Sequence, residues 1–404
     1  MNDTRLSASV AFFSAETSAD DVAGDALTKL RADLGGDPHL LLVYAAGAVD
    51  VAPVLRSLRR RTDAKIAGGT SARGLLGSRA IDGPIVGLFA IRDVDGAFGV
   101  GTESLATGGA RLAGATAARR SAADAGRTGE LPALVWICSA PGDEEHVLVG
   151  VGEVYGPHAP IVGGSSADDF VQGHWRQLAR DQVFDDHVVV VTMHTTARVE
   201  TALQCGYEPT EKSWLATRVE GRSLLALDGE PAFESWRRAA AVDEADSTSL
   251  LAASTFHPLG RPYTSSEGTR HFILVHPAAQ VAGGGMSLFA RAEEGQELVL
   301  MRGTPDSLVG RAARVAEEVK EMTEVTPDRI RGALVVFCAG CRFAIEDRME
   351  EVAASLARVL PGVPLLGVFT FGEQGCPSPG GAQHANLMVS VTLFADSDPQ
   401  WRSA

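Results

Sequence analysis

Cys338 and Cys341, in a Cys-Ala-Gly-Cys run, are the side chains of this sequence best suited to do chemistry, with Cys376 and His384 further along the chain. Thiolates are nucleophiles and soft metal ligands. Cys338, Cys341, Cys376 and His384 therefore form a candidate zinc, iron–sulfur or redox set. Against this, only one CxxC occurs and no second pair follows at zinc-ribbon spacing. A strand-end cysteine is also often a small buried hydrophobe. Covalent catalysis would pair Cys338 as nucleophile with Glu373 or His384 as base. The supporting patterns are missing, because no Gly-x-Ser-x-Gly elbow occurs and Ser165–Ser166 has no recognisable histidine partner. Neither GxxxxGK[ST] nor a GxGxxG at a strand-to-helix junction is found. The expectation is a protein that is not an enzyme.

The elements that would position these groups recur three times. Residues 18–74 read helix, strand, helix, strand, and end in IAGGTSARG. A second copy starts near Gly108 and ends in IVGGSSADD; a third starts near Thr304 and ends in LLGVFTFGE. A further apolar strand follows each copy: PIVGLFAIR, HVVVVTMH and NLMVSVTLFA. Ser18 is placed to cap the first helix, with Asp20 and Asp21 in its first turn and Leu27, Leu30 and Leu34 on one face. Short apolar runs alternating with helices indicate an α/β protein of repeated α-β-α-β units, with mixed sheets covered by helices. GAFGVGTE, RVETALQCGY and ELVLMRG read as hairpin partners of those strands. Two domains are expected, residues 1–245 and 246–404, parted by the polar stretch AAAVDEADSTSLLAAS.

In open α/β sheets ligands bind beyond the carboxyl ends of the strands, where these glycine turns fall. Gly68, Gly69, Gly163, Gly164 and Gly367, with Thr70, Ser71, Ser165 and Ser166, then read as ligand-cradling loops or as tight turns needing small residues. Asp168, Glu373 and Asn386 are polar anchors within or just after the turns, and Cys138 takes the strand-end place of Cys338 in the second copy.

The net charge of -15 argues against a nucleic-acid partner, and the run Arg56, Arg59, Arg60, Arg61 reads as a solvated helix face. No stretch is long and apolar enough for a transmembrane helix, and the N-terminus has no signal-peptide pattern. Neither membrane insertion nor export is expected. Five cysteines in 404 residues do not make a secreted disulfide framework, so the cytoplasm is the expected compartment.

The ordered set of motifs resembles the FIST family, with its N-terminal and C-terminal domains. IAGGTSARG and IVGGSSADD are similar to the family's GG-type turns, and LALDGEPA (residues 225–232) to its Leu-Asp-Gly-x-Pro-Ala signature. ALVVFCAGCRFAIEDRMEEV is similar to its strand, Ser-Cys-x-Gly-Arg and helix pattern. Here Phe337 replaces Ser, Cys341 stands where Arg is expected, and Arg342 comes one place later. VPLLGVFTFGEQG and HANLMV complete the set. The resemblance implies a sensory module that binds a small, amino-acid-like metabolite and signals through a partner such as a histidine kinase or a cyclic-di-GMP enzyme. The ligand-contact set is then Gly68, Thr70, Ser71, Gly163, Gly164, Ser165, Asp168, Cys338, Arg342, Glu373 and Asn386, with Arg342 and Glu373 at opposite ends of a zwitterion. The residues leave the cofactor unknown. A haem-based nitric oxide sensor is the alternative that the resemblance carries.

Overall fold

The protein is described here from a computed structural model covering residues 5–14, 16–242, 247–265, 268–377 and 381–397. The first unit runs β1 (Leu6–Ser14), α1 (Ala19–Leu34), β2 (Leu40–Ala46), α2 (Ala52–Arg61), β3 (Lys65–Ser71), the hairpin β4 (Gly74–Leu76) and β5 (Ala80–Asp82), and β6 (Ile85–Asp93). The second repeats this order: β7 (Ala97–Ser104), α3 (Ala110–Asp124), β8 (Leu134–Ser139), α4 (Glu144–Tyr155), β9 (Ile161–Ser165), the hairpin β10 (Gln177–Ala179) and β11 (Gln182–Phe184), and β12 (His187–His194).

The third unit opens with β13 (Arg198–Cys205) and is then interrupted. The inserted segment holds β14 (Glu208–Glu220), β15 (Ser223–Leu227), β16 (Glu230–Pro231), α5 (Ala232–Ala240), α6 (Ser247–Phe256), β17 (Leu259–Thr264), β18 (Arg270–Val275), β19 (Pro277–Val281), β20 (Gly285–Leu288) and β21 (Glu297–Arg302). The unit resumes with α7 (Pro305–Thr323), β22 (Ile330–Cys338), α8 (Ala339–Ala344), α9 (Met349–Val359), β23 (Leu365–Thr370), the hairpin β24 (Glu373–Gly375) and β25 (Gln383–Ala385), and β26 (Met388–Ala395).

Among the described residues each unit builds a six-stranded mixed sheet, in orders β1-β6-β2-β3-β10-β11, β7-β12-β8-β9-β24-β25 and β13-β26-β22-β23-β4-β5. Every sheet thus ends in a hairpin lent by another unit, and the loans close a cycle: second to first, third to second, first to third. A hairpin of three-residue strands is too small to be stable alone. Each gains its ladder from the exposed edge of β3, β9 or β23 and removes that edge from solvent. The result is an approximate threefold body in one chain.

Local sequence explains the elements. β2 is LLLVYAA, buried throughout, as a strand covered on both faces must be. Ser18 accepts a hydrogen bond from the Asp21 amide (3.2 Å), and Gly35 closes α1 in the left-handed region, φ 66°. Leu27, Leu30 and Leu34 are buried as expected, each worth about 1.5–3 kcal/mol of apolar transfer. The basic run lies on α2, where Arg60 and Arg61 pair with Asp20. The inner faces of the three sheets share one core, including Leu42, Phe89, Trp136, Val191, Leu334 and Phe394. Within it the Trp136 indole N–H donates to the Tyr44 hydroxyl, joining first and second units (3.0 Å). The outer faces are covered by α1 and α2, by α3 and α4, and by α7 and α9.

Three sequence expectations change. GAFGVGTE is β7 and pairs with β12, so it opens the second unit rather than pairing with β6. RVETALQC likewise opens the third unit as β13, beside β26, while ELVLMR lies in the insert. Cys138 is opposite Gly164 whereas Cys338 is opposite Thr370, so Cys138 matches Val336 and not Cys338. The boundary between residues 245 and 246 lies outside the described residues. The elements on either side of it, α5 and α6, share one core through Trp236, Ala240 and Leu250.

Candidate functional site

The three glycine turns lie at the carboxyl ends of the parallel pairs β2/β3, β8/β9 and β22/β23, laced into a ring. The Ala167 amide donates to the Thr70 carbonyl (3.0 Å), Ala72 to Phe369 (3.1 Å) and Phe371 to Ser165 (3.1 Å). These are the same two positions in each unit, so the ring repeats the cyclic topology. A Cβ on Gly68 would stand 1.8 Å from the Val43 carbonyl oxygen, and one on Gly163 1.9 Å from that of Ile137. Gly164 lets Thr370 approach; a Cβ there would be 2.5 Å from its methyl carbon. These glycines serve close packing at the axis. The Thr70 hydroxyl accepts from the Arg176 amide (2.9 Å), and Ser71 accepts from Phe369 (2.8 Å) and donates to the Gly74 carbonyl (2.7 Å). Asp168 accepts from the amides of Phe170, Gln172 and His174 and so shapes the loop after the second turn.

Cys338, Glu373 and Asn386 do come together, around a residue that the sequence reading passed over. Arg311 projects from α7 into the interior and is 1% exposed. Its guanidinium lies 4.3 Å from the centre of the Phe337 ring and donates to the Leu387 carbonyl (2.6 Å). Leu387 holds a left-handed backbone, φ 55°, a strained state for a branched side chain and common at functional sites. Its neighbour Asn386 accepts from the His276 amide (3.3 Å), and the Met388 amide donates to Glu373 (3.0 Å). The Thr370 hydroxyl also donates to Glu373 (3.0 Å). Tyr207 stands 3.4 Å from the Cys341 sulfur and donates to the Thr255 carbonyl (2.8 Å). Arg342, 2% exposed, stands against the other ring of the Phe337–Phe369 pair, 5.7 Å from the Phe369 ring centre, and donates to Asp82 (2.7 Å). Arg342 and Glu373 share no partner.

Burial, reinforced by the Cys338 thiol, holds Glu373 well above the usual carboxylate range. Burial also pushes the Cys338 thiol well up. Cys341 falls below its ordinary value although burial opposes this, because Cys338 hydrogen-bonds it and Arg311 attracts its charge. His276 is pushed down to about 4 by burial. Five buried nitrogens here have no acceptor: Nε and Nη2 of Arg311, Nε and Nη1 of Arg342, and Nδ2 of Asn386.

Ser165 lies on the other side of β24, in a second polar network. Its hydroxyl donates to Glu144 (2.7 Å) and accepts from Gln374 (3.2 Å). Arg222 bridges Glu144 and Glu145 (2.6 and 2.7 Å), and His384 Nε2 stands 3.9 Å from Glu144. Arg261 donates to the His384 carbonyl (3.0 Å).

The sequence set Cys338, Cys341, Cys376 and His384 does not converge. Cys376 donates to the Ala159 carbonyl (3.3 Å) in the core under α3 and α4, and His384 faces Phe289 and Glu144. Among the described residues no group of three histidine, cysteine or acidic side chains is placed to hold a metal. Haem also fits poorly, since it needs a roomy apolar slot beside a free axial ligand. His276 Nε2 is 2.9 Å from the Ser254 hydroxyl, and the His384 ring is pressed against Gly372. Two surface clefts, of about 370 and 260 Å³, lie at the opposite, amino ends of the strands. The larger is lined by Arg31, Arg61 and Lys65, and its His39 is bonded to the Asp93 carbonyl. The smaller has no histidine, cysteine or methionine.

Arg311, Tyr207, His276, Gln374, Glu144, Glu145, Arg222 and Arg261 were not found from sequence. One signal was present. Arg311 falls three residues after Leu308 and four before Val315, on the apolar stripe of α7.

The fold defines an α/β protein built from three units that exchange hairpins. Residues 39–230 match the FIST N domain and residues 232–376 the FIST C domain, so the chain belongs to the FIST family, whose domains are associated with sensory signal transduction. The junction of the two matches falls at the β16–α5 corner, inside the insert. The uncharacterized protein MJ1623 of Methanocaldococcus jannaschii is 27% identical over 148 residues, 35% of this chain. The match spans 27% of that relative's length. The crystal structure of a cyanuric acid hydrolase from A. caulinodans aligns over 97% of this chain and 100% of its own, with 13% identity and a TM-score of 0.34, too low to bear on fold or activity. No helix among the described residues is long and apolar enough to cross a membrane.

Proposed function

We propose that this chain is a non-catalytic cytoplasmic sensor that binds a small, amino-acid-like carboxylate beyond β22 and β23 and signals through a partner such as a histidine kinase or a cyclic-di-GMP enzyme. The observation that carries this reading is the set of five acceptor-less nitrogens on Arg311, Arg342 and Asn386. A buried unsatisfied donor costs about 1–3 kcal/mol, and more when charged. Guanidinium groups match a carboxylate in shape and charge. Neutral Glu373 would meet the ligand's ammonium and give up its proton on binding. The protonated, buried Cys338 thiol is a poor nucleophile, which favours binding over covalent chemistry. Five unpaired cysteines suit a reducing compartment.

The test is thermal unfolding with free amino acids and with their methyl esters, repeated in Arg342→Met. The expected result is stabilisation by a free carboxylate that its ester does not reproduce and that Arg342→Met abolishes. Equal response to acid and ester, or no response to any carboxylate, would refute the reading. Calorimetry in buffers of different ionisation enthalpy should show one proton released per ligand bound.

A further inference from the structure

The network beneath the first turn of α4 stands apart when the three units are compared position by position. Opposite Gly68 in the first sheet is Leu178, whose hairpin partner is Val183. Opposite Gly367 in the third is Leu76, whose hairpin partner is Ala80. Both pairs pack in the apolar layer under the outer helices. The same two places in the second sheet, opposite Gly163, hold Gln374 and His384. They are 1% and 2% exposed. Two positions filled by hydrocarbon in the sister sheets are therefore filled by an amide and an imidazole. Packing does not require that change, and burying polar groups opposes it.

These polar groups are also incompletely paired. His384 Nε2 faces two acceptors, the Phe289 carbonyl at 3.3 Å and the Glu144 carboxylate at 3.9 Å, and so carries the proton. Nδ1 is then an acceptor, and it has no donor. Gln374 spends its amide nitrogen on Ser165, and its Oε1 has no donor. Across the network the Nε–H groups of Arg222 and Arg261 have no acceptor. The unused capacity is two acceptors and two donors. The formal charges already balance. Burial opposes ionisation of Glu144 and Glu145, but Arg222, within 2.7 Å of both, draws the two carboxyls below the usual range. Two ionised carboxylates repel an anion, and two arginines repel a cation.

We propose that this network is a second binding site, for a neutral ligand carrying a primary carboxamide or urea group, whose N–H donors meet Gln374 Oε1 and His384 Nδ1 and whose carbonyl oxygen meets the arginine N–H groups. The site does not depend on the carboxylate site, which lies on the other side of β24. Arg222 and Arg261 belong to the insert, whereas Glu144 is on α4 and His384 on the lent hairpin. Occupancy therefore ties the insert to the body.

The probes are acetamide, urea and nicotinamide, with acetate and nicotinate as controls, read by thermal unfolding of the full chain. At least one of the three neutral probes should stabilise the wild type saturably. Gln374→Leu/His384→Val, which installs the residues found at these places in the first sheet, should weaken that response at least about tenfold while leaving any carboxylate response intact. Arg342→Met should do the reverse, which separates failure of this site from failure of the other. A measurement without variants uses selectively ¹⁵N-labelled histidine, where the stabilising probe should move the His384 Nδ1 resonance. No stabilisation by any neutral probe, a response that survives the double variant, or an unmoved His384 resonance would each overturn the proposal and leave buried water as the partner of these atoms.

Discussion

Replacing Glu373 by Gln separates two states of the interior that look alike in outline. Glu373 is fully buried and accepts from Thr370 and Met388. Gln has the same shape. Its oxygen can accept the Met388 amide, and its NH₂ can donate to the Thr370 hydroxyl once that rotor turns. The folded pKa of Glu373 is raised, so above the ordinary carboxylate range the unfolded chain has lost a proton that the folded chain keeps. Stability from this group is complete at pH below the unfolded pKa and declines as pH rises toward the folded one. One proton changes stability by about 1.4 kcal/mol per pH unit. Glu373→Gln removes that slope. Urea unfolding at pH 5.5 and 6.5 should show the variant gaining on the wild type over that single unit, by at most about 1.4 kcal/mol. All other titrating groups are common to both proteins and cancel. Parallel pH curves would refute the reasoning, because they would mean that Glu373 is ionised in the fold and pairs with Arg311. The proton release expected on ligand binding would then fail too.

Other outcomes follow from single contacts. Gly163→Ala puts a Cβ 1.9 Å from a backbone oxygen and should cost about 3 kcal/mol or more in urea unfolding. The control Gly152→Ala, in α4 with nothing within 4 Å, should gain about 0.5–1 kcal/mol. His276 stays neutral down to about 4 in the fold, while an unfolded histidine takes its proton near 6.5. The wild type should therefore lose about 3 kcal/mol between pH 6.5 and 4 from this residue, and His276→Gln should flatten that acid limb. Asp168→Asn gives up one of the two oxygens that bind Phe170, Gln172 and His174. It should cost about 1–3 kcal/mol and speed proteolysis within residues 170–175.

Much of the architecture could be read before any coordinates. Three copies of one pattern, the strands and helices within them, the Ser18 cap and the turn positions all follow from apolar periodicity and glycine placement. The candidate site was legible only in part. Cys338, Glu373 and Asn386 are close, but Arg342 pairs with Asp82 and Cys376 lies in another core. Thr70 and Ser71 turned out to serve backbone amides at the axis. Residues spaced like a site in sequence were separated by the alternation of a strand. Glu373 and Gln374 are neighbours in the chain, yet one joins Thr370 and the other Ser165.

The sequence by itself determined the local elements, because a period of two or of 3.6 acts over a few residues and needs no partner to be recognised. Tertiary structure decided which edge each short hairpin joins, since β3, β9 and β23 offer similar ladders and nothing within a three-residue strand names its neighbour. It decided that residues 208–302 interrupt the third unit with a sheet of their own. It also decided which arginines lose water. Burial is a property of what packs around a side chain, so the acceptor-less N–H groups of Arg311 and Arg342, on which the proposed binding rests, exist only once all three units have closed.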